Sequence, residues 1–293
     1  MTKENKRVIL VTGASRGVGK GIAEGLAKPD DIIICAARSS SKNATVQQFG
    51  FEIQSSLDNT VQKIEQKGAK GITYSIDLNN HTEILELANY VQEEFGQLDL
   101  LVHAACQIHD DLVEPKPYWE KSIDLWSVMD VGLKSNYLLS HALTPLMIAS
   151  KGKLILQISS HGAMCYMHGP IYGAQKAGID KMAFDMAYDL KEFDICSLSL
   201  WSGIVKDEKT QKVSEMHGEQ YAEFLKGAAS QEYAGMVINE LYEDPVLMSI
   251  SGKTLIAAEV GDQYGIHDKD SCTPKSDRDA LGGPRDFSEA VVY

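Results

Sequence analysis

Seven short runs rich in β-branched residues, separated by longer stretches of helical periodicity, restrict this chain more than any other feature. The runs are residues 7–11, 32–36, 71–75, 98–103, 152–159, 195–200 and 254–257. Several are apolar at nearly every position, as a parallel strand must be when helices cover both its faces. Between them the periodicity predicts helices over 20–28, 57–67, 82–95, 126–149, 171–193 and 231–242. Repeated βα units of this kind predict one α/β domain built on a doubly wound parallel seven-stranded sheet with helices on both faces. Ligands then sit at the carboxyl ends of the strands, near the switch point.

The first strand runs directly into Thr12-Gly13-Ala14-Ser15-Arg16-Gly17-Val18-Gly19, which opens a helix. Glycines let the backbone turn tightly and approach a pyrophosphate, whose charge is met by free N–H groups and the positive end of the helix dipole. A glycine-rich turn alone is a weak signal, and the strand before it and helix after it make it a Rossmann-type dinucleotide signature. The end of the second strand, Cys35-Ala36-Ala37-Arg38, bears on the choice of nucleotide. An acid there would hydrogen-bond the free ribose hydroxyls and repel a 2′-phosphate, whereas Ala37 leaves space and Arg38 offers a planar cationic fork, with Arg16 approaching from the other side. NADP(H) is therefore expected ahead of NAD(H).

Far downstream, Tyr172-Gly173-Ala174-Gln175-Lys176 opens a helix, and residues four apart share a helix face. A phenol with a pKa near ~10 is a poor base at neutral pH, and a neighbouring ammonium stabilises the phenolate. The preceding strand ends in Ser159-Ser160, where a hydroxyl is placed to polarise a substrate oxygen. Each piece alone also reads as ordinary structure: a solvated helix face, or serines in a turn.

In this order, the glycine turn, Asp77-Leu78 after the third strand, Ser-Ser and Tyr-x-x-x-Lys resemble the short-chain dehydrogenase/reductase family over residues 7–265. Gly203-Ile204-Val205, the segment from Ser251 to Glu259 and Tyr264-Gly265 resemble the branch typified by dehydrogenase/reductase member 1 and its bacterial relatives. The resemblance implies that Gly13, Ser15, Arg16, Val18 and Gly19 hold the pyrophosphate and adenosine side, and that Asp77 and Leu78 contact the adenine. Cofactor contacts are likewise expected of His103, Ala104, Gly203 and Val205, together with Arg38. Tyr172 becomes the proton donor or acceptor, Lys176 its tuning cation and a partner of the nicotinamide ribose, and Ser160 the hydroxyl on the substrate oxygen. Ser160 lies twelve residues before Tyr172 where thirteen is common, so Ser159 stays open for that role. The expected activity is hydride transfer between NADP(H) and a small-molecule carbonyl or alcohol.

Three positions depart from the family pattern. His103-Ala104-Ala105-Cys106 replaces Asn-Asn-Ala-Gly, Gly132 replaces the helix Asn of the catalytic set, and Asp207 replaces the Thr that bonds the carboxamide. These losses keep a second class of function open, a degenerate NADP(H)-binding sensor or scaffold. His161 and His168, with Met164, Tyr166 and Met167, flank the site as candidate substrate-facing residues.

A formal net charge of −13 disfavours a grip on phosphate backbones, so no nucleic-acid partner is expected. The chain enters its first apolar run at Val8 without a signal-peptide pattern, and no apolar run approaches the ~20 residues of a membrane span. Five cysteines, Cys35, Cys106, Cys165, Cys196 and Cys272, form no CxxC pair and fit a reducing compartment, so a cytoplasmic location is expected. His109-Asp110-Asp111 lacks a further ligand at structured spacing, and no metal is expected. Segments 39–56 and 107–124 read as surface loops; residues 266–293 form a polar extension, either a flexible tail or an arm on a neighbouring subunit. Surplus apolar positions after the Tyr-Lys pair (Ile179, Met182, Ala183, Met186, Ala187, Leu190) predict a homo-oligomer, dimer or tetramer.

Overall fold

The computed structural model describes residues 6–39, 44–211, 225, 227–269 and 273–293. Cys272, residues 1–5 and parts of the 39–56 and 266–293 segments lie outside the described residues. In chain order the strands are β1 (Val8–Thr12), β2 (Ile32–Ala37), β3 (Thr45–Gln48), β4 (Phe51–Gln54), β5 (Lys70–Ser75), β6 (Leu100–His103), β7 (Leu154–Ser159), β8 (Cys196–Trp201), β9 (Val205–Lys206), β10 (Ala229–Ser230) and β11 (Thr254–Ile256). The helices are α1 (Gly17–Leu26), α2 (Leu57–Gln66), α3 (His81–Phe95), α4 (Asp110–Val113), α5 (Ser127–Met129), α6 (Ser135–Ser150), α7 (Pro170–Leu190), α8 (Tyr233–Glu243), α9 (Ala257–Tyr264) and α10 (Arg278–Leu281).

All seven expected strands join one parallel sheet in the order β11-β8-β7-β6-β1-β2-β5. Strand β1 pairs with both β2 and β6, so the winding reverses there, and the ends at Thr12, Ala37 and His103 frame the crevice. Although β1 is apolar throughout, its side chains alternate between two cores. Ile9 and Val11 pack with Ile22 and Leu26 of α1, Ile64 of α2 and Val237 of α8. Val8 and Leu10 pack with Ile84 and Leu87 of α3 and Leu139 and Leu143 of α6. Each such side chain contributes about 1.5–3 kcal/mol by leaving water. Arg7 is buried at the edge of this layer and forks onto Asp31, with Asn239 and the Leu26 carbonyl taking its other N–H groups. A buried guanidinium is tolerable there because its charge and donors are met.

Four expectations change. Segment 39–56 contains an antiparallel hairpin, β3 with β4, turned through Phe49 and Gly50, whose φ angles of 52° and 74° suit a two-residue connection of mirror type. Its polar composition reflects a solvent-facing side, while Gln48 and Ile53 turn inward and are buried. Segment 107–124 carries α4 and short 3-10 turns, because Leu112 and Leu125 pack with Val128 against Ile171 and Tyr172. The helix expected over 126–149 is interrupted by a π-helical turn at Asp130–Lys134 between α5 and α6. Finally, the described part of the extension lies on its own subunit: Arg278 grips Glu259 at 2.7 and 2.6 Å, Phe287 packs on Phe184 of α7, and Tyr293 meets the Tyr188 hydroxyl at 2.8 Å.

The apolar stripe of α7 is also covered within the subunit. Ile179, Ala183, Ala187 and Leu190 are buried, Met186 packs on the core shared by α3 and α6, and Met182 is half-buried.

Candidate active site

A cavity of about 460 Å³ opens at the switch point, lined by the glycine turn, the end of β2, Asp77, Leu78 and Ala104. Gly13 adopts φ +72°, and a Cβ there would stand 2.7 Å from the Ala105 Cα, so the turn and the segment after β6 approach as only glycine permits. Arg16 precedes α1 without capping it through its side chain, which leaves first-turn N–H groups of the helix for a ligand. Ser15 is held by Ser55 at 3.1 Å. Arg38 is exposed at the end of β2 and also lines the cavity. Burial and then the like charge of Arg38 hold Arg16 below its ordinary value, and Asp207 partly offsets them. Among the described residues neither guanidinium forms an ion pair. A close-approach turn, a helix start and two cations, of which Arg16 feels the Asp207 carboxylate, suit a phosphate-bearing dinucleotide.

Several expected contacts fall elsewhere. The His103 side chain points into the core, bonded to Ser140 at 2.8 Å, and burial pushes its pKa down to about 3. Gly203 borders a second cavity of about 380 Å³ with Ser202 and Ile204, and Val205 is buried in the β9–β10 pair. The segment that follows lines the nucleotide cavity through Asp207, Glu208 and Lys209. Asp207 bonds the Thr210 N–H at 2.7 Å and its carboxylate faces Gly17, so it serves the glycine-turn side. Val46, Gln48 and Ile53 of the hairpin form another wall, with Gln48 donating to the Ile108 carbonyl at 3.0 Å. Sequence reasoning missed this wall; its available signal was Phe49-Gly50 between runs that alternate inward Val46 and Ile53 with polar residues.

Beside the cavity, Ser160 Oγ lies 3.1 Å from Tyr172 Oη, and Lys176 Nζ lies 5.4 Å from the centre of the Tyr172 ring. Ser159 instead donates to the Lys176 carbonyl at 3.1 Å, which leaves Ser160 as the serine facing the phenol. Lys176 is buried and donates to the Ile158 carbonyl at 3.2 Å. Burial pushes the Tyr172 phenol up, while Lys176 and the Ser160 hydrogen bond draw it back. Burial, the largest single influence, lowers Lys176, but Tyr172, Cys106 and Asp180 together outweigh it and hold the ammonium above its usual value. These are the parts of a proton-transfer group: a hydroxyl that exchanges a proton, a fixed cation, and a second hydroxyl to orient a substrate oxygen.

The position of the family Asn has a local explanation. A Cβ on Gly132 would fall 1.5 Å from Gln175 Nε2, so the amide of Gln175 occupies the space a side chain at 132 would enter. On the substrate side, the His168 ring stands edge-on to Tyr172 at 5.1 Å, above a cleft of about 360 Å³ lined by Leu112, Pro115, Lys121 and Tyr166. His161 turns away and packs against Trp201 at 4.8 Å. The His109 fragment braces its own loop: His109 Nδ1 accepts from the Asp111 N–H, and Asp110 accepts from Phe49. Among the described residues no His, Cys, Asp and Glu cluster could hold a metal. Cys35 and Cys196 are buried hydrophobes whose thiols burial pushes up, whereas Cys106 lines the nucleotide cavity.

A parallel sheet with a nucleotide crevice at its switch point, and a buried Lys with a half-buried Tyr and Ser beside it, defines a class of dinucleotide-type oxidoreductase folds. The short chain dehydrogenase pattern matches residues 7–218, and the chain belongs to the short-chain dehydrogenase/reductase family of oxidoreductases. It is 31% identical to the human dehydrogenase/reductase SDR family member 1 over 277 residues, 91% of this chain and 84% of the relative. Among solved structures, L-sorbose reductase from Gluconobacter frateurii, complexed with NADPH and L-sorbose, shares the fold with a TM-score of 0.70 at 19% identity, covering 86% of this chain and 94% of its own. So does a 3-oxoacyl-[acyl-carrier protein] reductase from Brucella melitensis in complex with NAD, at TM-score 0.70 and 22% identity, covering 87% and 96%.

Proposed function

We propose that this chain is an NADP(H)-dependent oxidoreductase that interconverts a small-molecule carbonyl and its alcohol. The observation that carries the reading is the 3.1 Å contact between the Ser160 and Tyr172 hydroxyls, with the buried Lys176 ammonium packed on the same ring. Bound in the cavity, the nicotinamide nucleotide supplies or accepts the hydride. In the reducing direction Ser160 orients the carbonyl oxygen and Tyr172 Oη–H gives it a proton, forming the alcohol and leaving a phenolate that Lys176 stabilises. In the oxidising direction Tyr172 takes the hydroxyl proton. Lys176 also offers its remaining N–H groups to the nucleotide ribose.

The NADP(H) preference is supported by Arg16 and Arg38, which converge at the end of β2 without an ion pair among the described residues. The fold relatives do not bear on the choice, since one is complexed with NADPH and the other with NAD. Residues 1–265 are taken as the catalytic unit, in a cytoplasmic homo-oligomer. Among the described residues no helix is long and apolar enough to cross a membrane. Light scattering giving the mass of one chain at micromolar concentration would reject the assembly.

The deciding experiment is a panel of ketones, aldehydes and alcohols scored by absorbance of reduced nicotinamide, with Tyr172→Phe as the blank. Turnover by the protein and none by the variant is expected. Micromolar cofactor binding without turnover of any compound would favour the sensor or scaffold.

A further inference from the structure

The proton-transfer group accounts for Ser160, Tyr172 and Lys176 but leaves a buried carboxylate behind them. Asp180 lies four residues after Lys176 and eight after Tyr172, on the same face of α7, and is 5% exposed. Its carboxylate accepts from Ser199 Oγ at 2.6 Å and from Trp201 Nε1 at 3.1 and 3.2 Å. Trp201 in turn packs at a tilt against His161, the residue after Ser160, and Ser159, the residue before it, is tied to the Lys176 carbonyl. The ends of β7 and β8 are thus joined to α7 around one buried carboxylate.

A carboxylate in such a place is costly unless its charge is met. Among the described residues the cation that acts on it is Lys176, without an ion pair between the two; the groups that face it from β7 and β8 are the neutral Ser159 and Ser199 hydroxyls and the Trp201 indole. Lys176 likewise has Tyr172, Cys106 and Asp180 around it, and Asp180 is the carboxylate among the three. Burial pushes Asp180 up toward protonation, and the hydrogen bonds and Lys176 oppose that.

We propose that Asp180 is a positioning residue of this active site: its charge, one helical turn beyond Lys176, favours the ammonium form of that lysine, and through Trp201 and His161 it steadies the end of β7 that presents Ser160. The inference rests on the assignment of Tyr172 and Lys176 above. Without Asp180, Lys176 loses the anion that favours its protonated form when Tyr172 is neutral, and activity then fails at lower pH. The carboxylate acts on the proton-transfer group through Lys176 and through the strand ends, without touching substrate.

The test is the pH profile of kcat for Asp180→Asn and Ser199→Ala with the best compound of the panel, together with cofactor affinity by fluorescence. Asp180→Asn is expected to lower kcat roughly ten- to a hundredfold, leave cofactor Kd within about threefold, and move the alkaline limb down by about one pH unit. Ser199→Ala removes a hydrogen bond but no charge, and is expected to lower Tm with the limb in place. An unmoved limb in Asp180→Asn, or an equal move in Ser199→Ala, overturns the proposal. Should Asp180→Asn not fold, Asp180→Glu, which keeps the charge but displaces it, is expected to lose kcat with the limb unmoved; wild-type kcat there overturns it equally. Tyr172→Phe run alongside separates the two readings. Activity in that variant removes the function and this inference together, whereas an inactive Tyr172→Phe with an unmoved Asp180→Asn limb removes the inference alone.

Discussion

The face of α7 and the hairpin β3–β4 both border the crevice, and they are built in opposite ways. On α7 the side chains at 172, 176 and 180 are locked by hydrogen bonds to the ends of β7 and β8. The hairpin places Gln48 and Ile53 in the buried set, and its contacts with the rest of the cavity include Gln48 on Ile108, Phe49 on Asp110 and Lys209 over the Phe49 ring. Proton transfer tolerates little displacement, so its groups sit on a packed helix; covering a nucleotide needs surface and shape, which a hairpin with one solvent-facing side supplies.

That contrast is broken most directly at Tyr172. Its replacement by Phe is expected to cost about 10²–10⁴-fold in kcat with cofactor affinity within a few-fold, because a transferable proton is lost and little binding surface. Fluorescence titration beside steady-state rates checks the split, and a large loss of affinity would show that the two regions are not separable.

His103, on β6 between the two regions, sharpens the comparison through stability. The unfolded ring takes a proton near ~6.5 and the folded one at about 3, so stability is full above about 6.5 and falls as pH drops toward 3, by on the order of a few kcal/mol. His103→Asn is expected to flatten that slope in urea midpoints measured across the range. An unchanged slope would assign it to other groups.

At the end of β2, Arg38→Ala is expected to weaken NADPH roughly ten- to a hundredfold and leave NADH nearly unchanged, as for lost charge-assisted hydrogen bonds of about 1.5–3 kcal/mol. Equal losses for both nucleotides in competitive titrations would refute the phosphate role. The smallest effect belongs to the hairpin: Ile53→Ala should raise the cofactor KM by only about three- to tenfold, with kcat within about twofold. If kcat falls instead, the hairpin takes part in placing the reacting groups, and the division of labour fails.

Much of the fold was legible because it is periodic. All seven parallel strands and the long helices follow from apolar runs and their spacing, with boundaries moved by one to three residues, as at β6, expected over 98–103 and found at Leu100–His103. The hairpin was missed, since the alternation of Val46, Phe51 and Ile53 with polar residues is short and lies in a segment of polar composition. Within the site, Ser160, Tyr172 and Lys176 were recoverable from their order along the chain. The choice between Ser159 and Ser160 was not, because both stand at the same strand end and only the opposite directions of their side chains distinguish them.

The sequence by itself determined the sheet, the glycine turn, the Tyr-Lys spacing and the basic end of β2, all of which are local patterns within a few residues. The tertiary structure alone decided that Gln175 fills the space beside Gly132, that Asp207 stands over the glycine turn, that His103 faces the core, and that the described extension packs on its own α7. Each of these is a contact between segments distant in sequence, set by how helices and strand ends pack. No local period records such a contact, because packing depends on which surfaces meet once the sheet is closed between its helices.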